Sequence, residues 1–229
     1  MPNPKPLSPF WLYVFLGLAA LLGVLALNIS SFLLKSGTAT IGILILLILF
    51  ISKPKASNKN WLIVGAFAFS IAGDWFLSNM KGDSGMFVQG IALYFLAHLG
   101  YLIYACINGK INWKVTGGIL LAFLAFYFLT LAPAIDDSVL KGAVLVYLLV
   151  SCLSMGAALG MNVEALVKWP YVFGIFLILF SDTVISFKEF LGFDGLNYTI
   201  LPTYYLAHVC VVFSLIQSWQ GDQELIVES

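Results

Sequence analysis

Arginine is absent from this chain of 229 residues, and charge of either sign is scarce: 11 lysines face 11 aspartates and glutamates, together 10% of the residues. A soluble domain carries about 25% charged residues, so an ordinary water-soluble domain is excluded, and nothing in so balanced and sparse a set calls for a nucleic-acid partner. Cysteine is equally thin. Cys106, Cys152 and Cys210 fall inside apolar runs, are odd in number and have no C-x-x-C spacing, which excludes a disulfide frame or a thiolate metal site and leaves small buried apolar residues. No glycine loop of the phosphate-binding kind is present.

What fills the chain instead is hydrophobic sequence, 61% of it. Apolar runs of the length a bilayer-spanning helix needs, about 20 residues, lie near 10–28, 31–51, 61–79, 87–107, 113–132, 140–160, 170–190 and 199–218. Short polar separators divide them, such as "SKPKASNKN" at Ser52–Asn60 and "LGFDGLN" at Leu191–Asn197. Continuous runs of this length predict helices rather than a closed barrel. The expectation is an all-α, polytopic membrane protein with eight transmembrane helices, forming one integral membrane domain over residues 1–229. The first run lacks a small-x-small cleavage site and reads as a helix rather than a signal peptide. The second is the least regular, because Lys35 stands about one turn inside it.

Lysine placement sets the orientation, since the positive-inside rule counts basic residues and largely ignores acids. With eight spans, the side shared by the two termini collects seven lysines (Lys5, Lys53, Lys55, Lys59, Lys110, Lys114 and Lys168), against four on the other (Lys35, Lys81, Lys141 and Lys188). Both termini are expected in the cytoplasm, and the protein in the cell membrane.

The chain has only two histidines, His98 and His208, and each closes the same short word, "YFLAH" at Tyr94–His98 and "YYLAH" at Tyr204–His208. Each follows an aspartate of the preceding span: Asp74 in "AGDWFLS" lies 24 residues before His98, and Asp182 in "FSDTVIS" lies 26 before His208. The offset suggests two repeats of four helices, related by an axis along the membrane normal. Counted at 1.5 Å per residue, both aspartates lie roughly 18–20 Å from the cytoplasmic edge, and both histidines roughly 14–16 Å from the other, which predicts a common polar layer. Ionisable groups at such depth are costly and face the bundle interior or a water-filled cavity.

Each of these residues also has a plain structural reading. An intramembrane aspartate can serve as a hydrogen-bonded link between helices, a histidine as a packing partner, a tyrosine as a boundary aromatic, and Lys35 as a snorkelling side chain. Ser181 has neither a histidine at helical spacing nor a G-x-S-x-G frame, which argues against a serine nucleophile. Two carboxylates that approach each other in a low-dielectric pocket cannot both ionise cheaply and titrate as a unit, an arrangement suited to general acid–base hydrolysis of an acid-labile bond. Two imidazoles and two carboxylates are also a conceivable zinc set, although no ligand spacing supports one and none is expected. A proton-coupled transporter or lipid-binding protein would use the same residue types at the same depth.

"AGDWFLS" followed by "QGIALYFLAHLGYLIY", then "VLVYLLVSCLSMGAAL", "YVFGIFLILFSDTVISFKEF" and "LPTYYLAHVCVVFSL", resembles the YhhN-like membrane proteins, which include the lysoplasmalogenases; the likeness runs from about Lys35 to Leu215. Two positions depart from the family pattern: Ser36 stands where the family tends to carry proline, and His208 where it more often carries glutamine. The resemblance implies an eight-helix hydrolase that cleaves the vinyl ether bond of a lysophospholipid, the lysoplasmalogen, to a fatty aldehyde and a glycerophospho-alcohol, without a cofactor. On that reading Asp74 and Asp182 are the catalytic pair and His98 a proton shuttle or orienting partner. Lys35, Tyr94, Ser181, Tyr205 and His208 are candidate substrate contacts, Lys35 pairing with the phosphate as a point charge.

Overall fold

The computed structural model describes residues 9–29, 32–52 and 59–227, and within them the chain is a bundle of helices. In order these are α1 (Pro9–Asn28), α2 (Phe32–Lys35), α3 (Gly37–Ser52), α4 (Asn60–Asn79), α5 (Ser84–Ile107), α6 (Trp113–Phe126), a π-helical turn (Tyr127–Leu131), α7 (Ala132–Ala134), α8 (Ser138–Leu159), α9 (Ala165–Leu191) and α10 (Asn197–Val227). Lys5, Lys53 and Lys55, which carry part of the orientation argument, lie outside the described residues.

Among the described residues, seven helices are long and apolar enough to cross a membrane. The second expected span is where the count softens: it is α2 and α3, of 4 and 16 residues, interrupted at Ser36. The break is local. Ser36 N–H still donates to Phe32 O (2.9 Å) and Thr40 N–H to Ser36 O (2.9 Å), while the Ser36 hydroxyl donates to Phe32 O at 3.0 Å. A serine that bonds back to the preceding turn competes with the helix ladder and bends it. Taken end to end the segment is about 31 Å long at 1.5 Å per residue, enough for an eighth, broken crossing.

The helix ends follow from the polar separators. Asp83 caps α5 by accepting from Gly85 N (2.8 Å), Asp137 caps α8 by accepting from Val139 N (2.7 Å) and Leu140 N (3.0 Å), and Asn112 caps α6 through Val115 N (3.3 Å). Gly192 ends α9 in the left-handed region, φ 64°, which costs a residue without Cβ nothing. Large apolar side chains such as Leu121, Phe128, Leu129 and Phe173 point outward all around the bundle. That surface suits hydrocarbon as solvent, where every backbone group must be satisfied within the segment.

Two helix pairs are packed most extensively, α4 with α5 and α9 with α10, and α8 joins them by packing on both α5 and α9. Small residues set the close approach in each pair. A Cβ on Gly100 of α5 would stand 2.7 Å from Leu62 O of α4, and one on Gly174 of α9 would stand 3.0 Å from Ala207 O of α10. Tyr13 in α1 is hydrogen-bonded to Gln217 (2.7 Å) and Gln220 (3.1 Å) near the end of α10, so the first and last helices share one face of the bundle. The opposite face is made by the ends of α4 and α9 and the starts of α5 and α10, and both aspartates lie nearer to it.

Candidate functional site

Inside that face is a cavity of about 290 Å³ lined by residues of α2, α4, α5, α9 and α10. Asp74 and Asp182 are both on its wall, together with Lys35, Tyr94, Ser181 and Tyr205. Six of the residues singled out by sequence are thus brought to one place. A smaller, apolar cavity of about 70 Å³ adjoins it, with Asp182 and Tyr94 common to both walls.

Asp74 is held from two helices. Tyr94 of α5 donates a short hydrogen bond to Oδ1, and Tyr204 of α10 donates to Oδ2 at 3.3 Å. Gly73 makes the first of these possible: a Cβ there would lie 3.0–3.3 Å from the Tyr94 ring. Asp182 is held differently. The Tyr147 hydroxyl of α8 donates to Oδ2 at 2.6 Å, and His98 Nε2 of α5 lies 3.2 Å from the same oxygen. With an ionised Asp182, His98 is the donor in that contact, and its Nδ1 has no partner among the described residues. The imidazole sits edge-on between Tyr101 and Tyr147, at centroid distances of 6.0 and 5.1 Å, which fixes its orientation. His98 is 1% exposed and stands behind Asp182 rather than on the cavity wall, so it acts on the cavity through that carboxylate.

The pairing therefore crosses between the two halves of the sequence. Asp74 of α4 meets Tyr204 of α10, and Asp182 of α9 meets His98 of α5. His208 is not on the cavity wall. Tyr204, one turn earlier in α10, occupies the cavity-facing place, and His208 lies beneath it at a ring distance of 4.4 Å. There it bonds to Thr38 of α3 (3.2 Å) and packs on Phe67 (4.8 Å), away from the cavity wall.

The remaining candidates are at the wall in distinct ways. Ser181 donates to Ile200 O at 3.2 Å, tying α9 to α10. The Tyr205 hydroxyl is buried with no hydrogen-bond partner among the described residues, a free donor beside the cavity. Lys35 reaches the wall from α2, where the break at Ser36 ends the preceding turn. Among the described residues, no three of His, Cys, Asp and Glu are grouped closely enough to hold a metal ion, since the two histidines lie on different partners.

Sequence reasoning missed Tyr147 and Tyr204 as aspartate partners. Tyr204 had a readable signal, since it precedes His208 by one turn as Tyr94 precedes His98. Tyr147 had none, being a lone tyrosine in "VLVYLLV", 35 residues from the aspartate it touches. The polar rim formed by Lys188, Glu189 and Asn197 was also missed, because those residues sit at helix ends and resemble solvated charges.

A polytopic all-α membrane protein with two carboxylates on one cavity among its apolar helices is the class these features define. The chain belongs to the YhhN family, whose model matches residues 31–215. Comparison with curated proteins gives no match, and neither does comparison with solved structures.

Proposed function

We propose that this protein is a membrane hydrolase that cleaves the vinyl ether bond of lysoplasmalogens, giving a fatty aldehyde and a glycerophospho-ethanolamine or glycerophospho-choline. The observation that carries the reading is the pair of aspartates from α4 and α9 on the wall of one cavity, each with its own hydroxyl donors. The substrate class comes from the family resemblance, and the residue chemistry fits it.

Hydrolysis of a vinyl ether begins with protonation of the alkene carbon that does not bear oxygen, leaving an oxocarbenium cation. One aspartic acid supplies that proton. The other, as carboxylate, stabilises the cation and takes a proton from the attacking water, the two-carboxylate logic of glycoside hydrolysis. The hemiacetal so formed collapses to aldehyde and alcohol. Tyrosine hydroxyls fixed on the carboxylates pre-orient them, so little reorganisation accompanies the change in charge. His98 positions Asp182, and Lys35 pairs with the lipid phosphate. Tyr205 offers its free hydroxyl to the substrate, and Ser181 and Tyr94 shape the wall. No cofactor enters these steps. The protein works in the cell membrane with both termini in the cytoplasm, so the cavity opens on the opposite side, and the chain of the lipid reaches it laterally from the bilayer.

The test is to incubate the purified protein in detergent with a vinyl-ether lysolipid and, separately, with its ester and saturated-ether counterparts. Aldehyde from the vinyl ether alone, lost in folded Asp74→Asn and Asp182→Asn variants, is the expected result. Fatty acid from the ester would keep the carboxylate pair and change the substrate. No cleavage of any lipid by folded protein would sink the hydrolase reading in favour of transport or binding.

A further inference from the structure

The two ends of the cavity system differ in chemistry. The rim of the larger cavity carries Lys35, Lys188, Glu189 and Asn197, with Lys188 and Glu189 paired at 2.9 Å and partly exposed. The smaller cavity is walled mainly by Phe87, Ile91, Val144, Ile185 and Phe190. Of the two aspartates, only Asp182 lines both. An amphiphile with a zwitterionic head and one long chain has a single favourable direction here, since a charged head in the apolar annex would lose its hydration without compensation.

We propose that the small apolar cavity seats the start of the alkenyl chain, and that Asp182, at its mouth, is the proton donor while Asp74 is the carboxylate that receives the proton of water. This rests on the vinyl ether hydrolase reading and goes beyond it by fixing the substrate's direction and dividing the roles. With the chain in the annex, the chain-side carbon of the double bond is the one beside Asp182, and the ether-bearing carbon faces the larger cavity and Asp74. The hydrogen bonds agree with that division. Tyr94 and Tyr204 donate to both oxygens of Asp74, the arrangement a carboxylate accepts. Tyr147 and His98 both address Oδ2 of Asp182, and Oδ1, with no hydrogen-bond partner among the described residues, is open to carry a proton.

The steps balance. The Asp182 O–H bond breaks and a C–H bond forms at the chain-side carbon, with the π electrons of the double bond. Water adds to the oxygen-bearing carbon and passes a proton to Asp74. Asp74 returns that proton to the glycerol oxygen as its bond to the former vinyl carbon breaks, and the hemiacetal hydroxyl gives its proton to Asp182 as the aldehyde forms. Both aspartates end as they began.

Binding tests this without turnover. The probes are lysolipid analogues in which a secondary ammonium replaces the vinyl ether, with one long and one short chain, titrated calorimetrically against the full-length protein in nanodiscs. The wild type should bind the long-chain probe at least tenfold tighter than the short. Val144→Phe, which fills the annex, should remove most of that preference. Asp74→Asn should weaken both probes at least tenfold because the cation loses its carboxylate, and Asp182→Asn should change them less than threefold. A chain-length preference that survives in folded Val144→Phe overturns the chain seat. Loss of the cation in Asp182→Asn rather than Asp74→Asn overturns the division of roles. Should Val144→Phe unfold, Ile91→Trp fills the same annex from α5 and carries the same two outcomes. Because these readings involve no cleavage, their failure is separate from failure of the hydrolysis assay.

Discussion

Asp74 receives one hydroxyl on each carboxylate oxygen, from Tyr94 and Tyr204, whereas Asp182 receives both its partners, Tyr147 and His98, on Oδ2 alone. The two acids come from sequence words of the same form, an aspartate late in one span with a Tyr-x-x-x-His helix to follow. Their surroundings nevertheless differ: Asp74 is held by the tyrosines of both such helices, Tyr94 of α5 and Tyr204 of α10, and Asp182 by the histidine of α5 together with Tyr147 of α8. Similar local sequence placed in two helix pairs therefore yields two unlike carboxylates. Acid and base roles require such an inequality, since environments that push two titratable groups apart are what assign them.

The largest expected effect tests whether both members of the comparison take part in chemistry. Asp74→Asn and Asp182→Asn should each lower kcat by about a thousandfold or more, within the range general acid–base groups supply, with helical content and melting temperature retained. An aspartate whose replacement leaves kcat within tenfold would be a structural link between helices, and the comparison would lose one side.

The next effect concerns the donors. A hydrogen bond to a charged group contributes about 1.5–3 kcal/mol, so Tyr94→Phe should lower kcat/KM by about 10- to 100-fold. Tyr147→Phe should cost less, because His98 still addresses the same oxygen of Asp182. Double variants sharpen this. Loss of Tyr147 and His98 together should exceed the sum of the single losses, since each covers for the other on Oδ2. Tyr94 and Tyr204, on separate oxygens, should come closer to additive. Equal coupling in the two pairs would show that the difference between the aspartates has no energetic content.

A smaller effect reaches Asp74 through packing. Gly73→Ala places a methyl group 3.0–3.3 Å from the Tyr94 ring, so the ring must yield by a few tenths of an ångström. Misplacement of that order near reacting groups should lower kcat by about three- to tenfold. Gly65→Ala on the same helix meets nothing within 4 Å and serves as the control. An equal response from the two glycines would mean that Tyr94 is not held in place by this contact.

How far the sequence carries this site depends on what each feature leaves in the chain. Helices were legible because continuous apolar length is itself the signal for a span, and the paired aspartates because charge in such a run is conspicuous. The broken second crossing was only hinted at by Lys35, since the interruption at Ser36 comes from a side-chain hydroxyl bonding to the preceding turn, a local choice that composition does not reveal. Partners across helices were the least legible. Depth could be counted from helix ends, but the rotation of each helix about its axis could not. That rotation is why α10 presents Tyr204 to the cavity and α5 presents Tyr94 there and His98 behind Asp182.

The same rotation leads to the smallest expected effect. His98 and His208 end the same word, yet His208 touches Thr38, Phe67 and Tyr204 and reaches Asp74 only through the last of these. His208→Gln keeps a polar group for Thr38. It should leave kcat within about twofold, because Tyr204 stays in place, and change stability by about 1 kcal/mol, the scale of one neutral hydrogen bond. His98→Gln, by contrast, removes an imidazole that contacts Asp182 directly and should lower kcat at least tenfold more than His208→Gln does. Measured side by side in the cleavage assay, equal losses from the two histidines would make the repeated word a functional repeat. Unequal losses would leave it a repeat of sequence whose two copies the fold has turned to different uses.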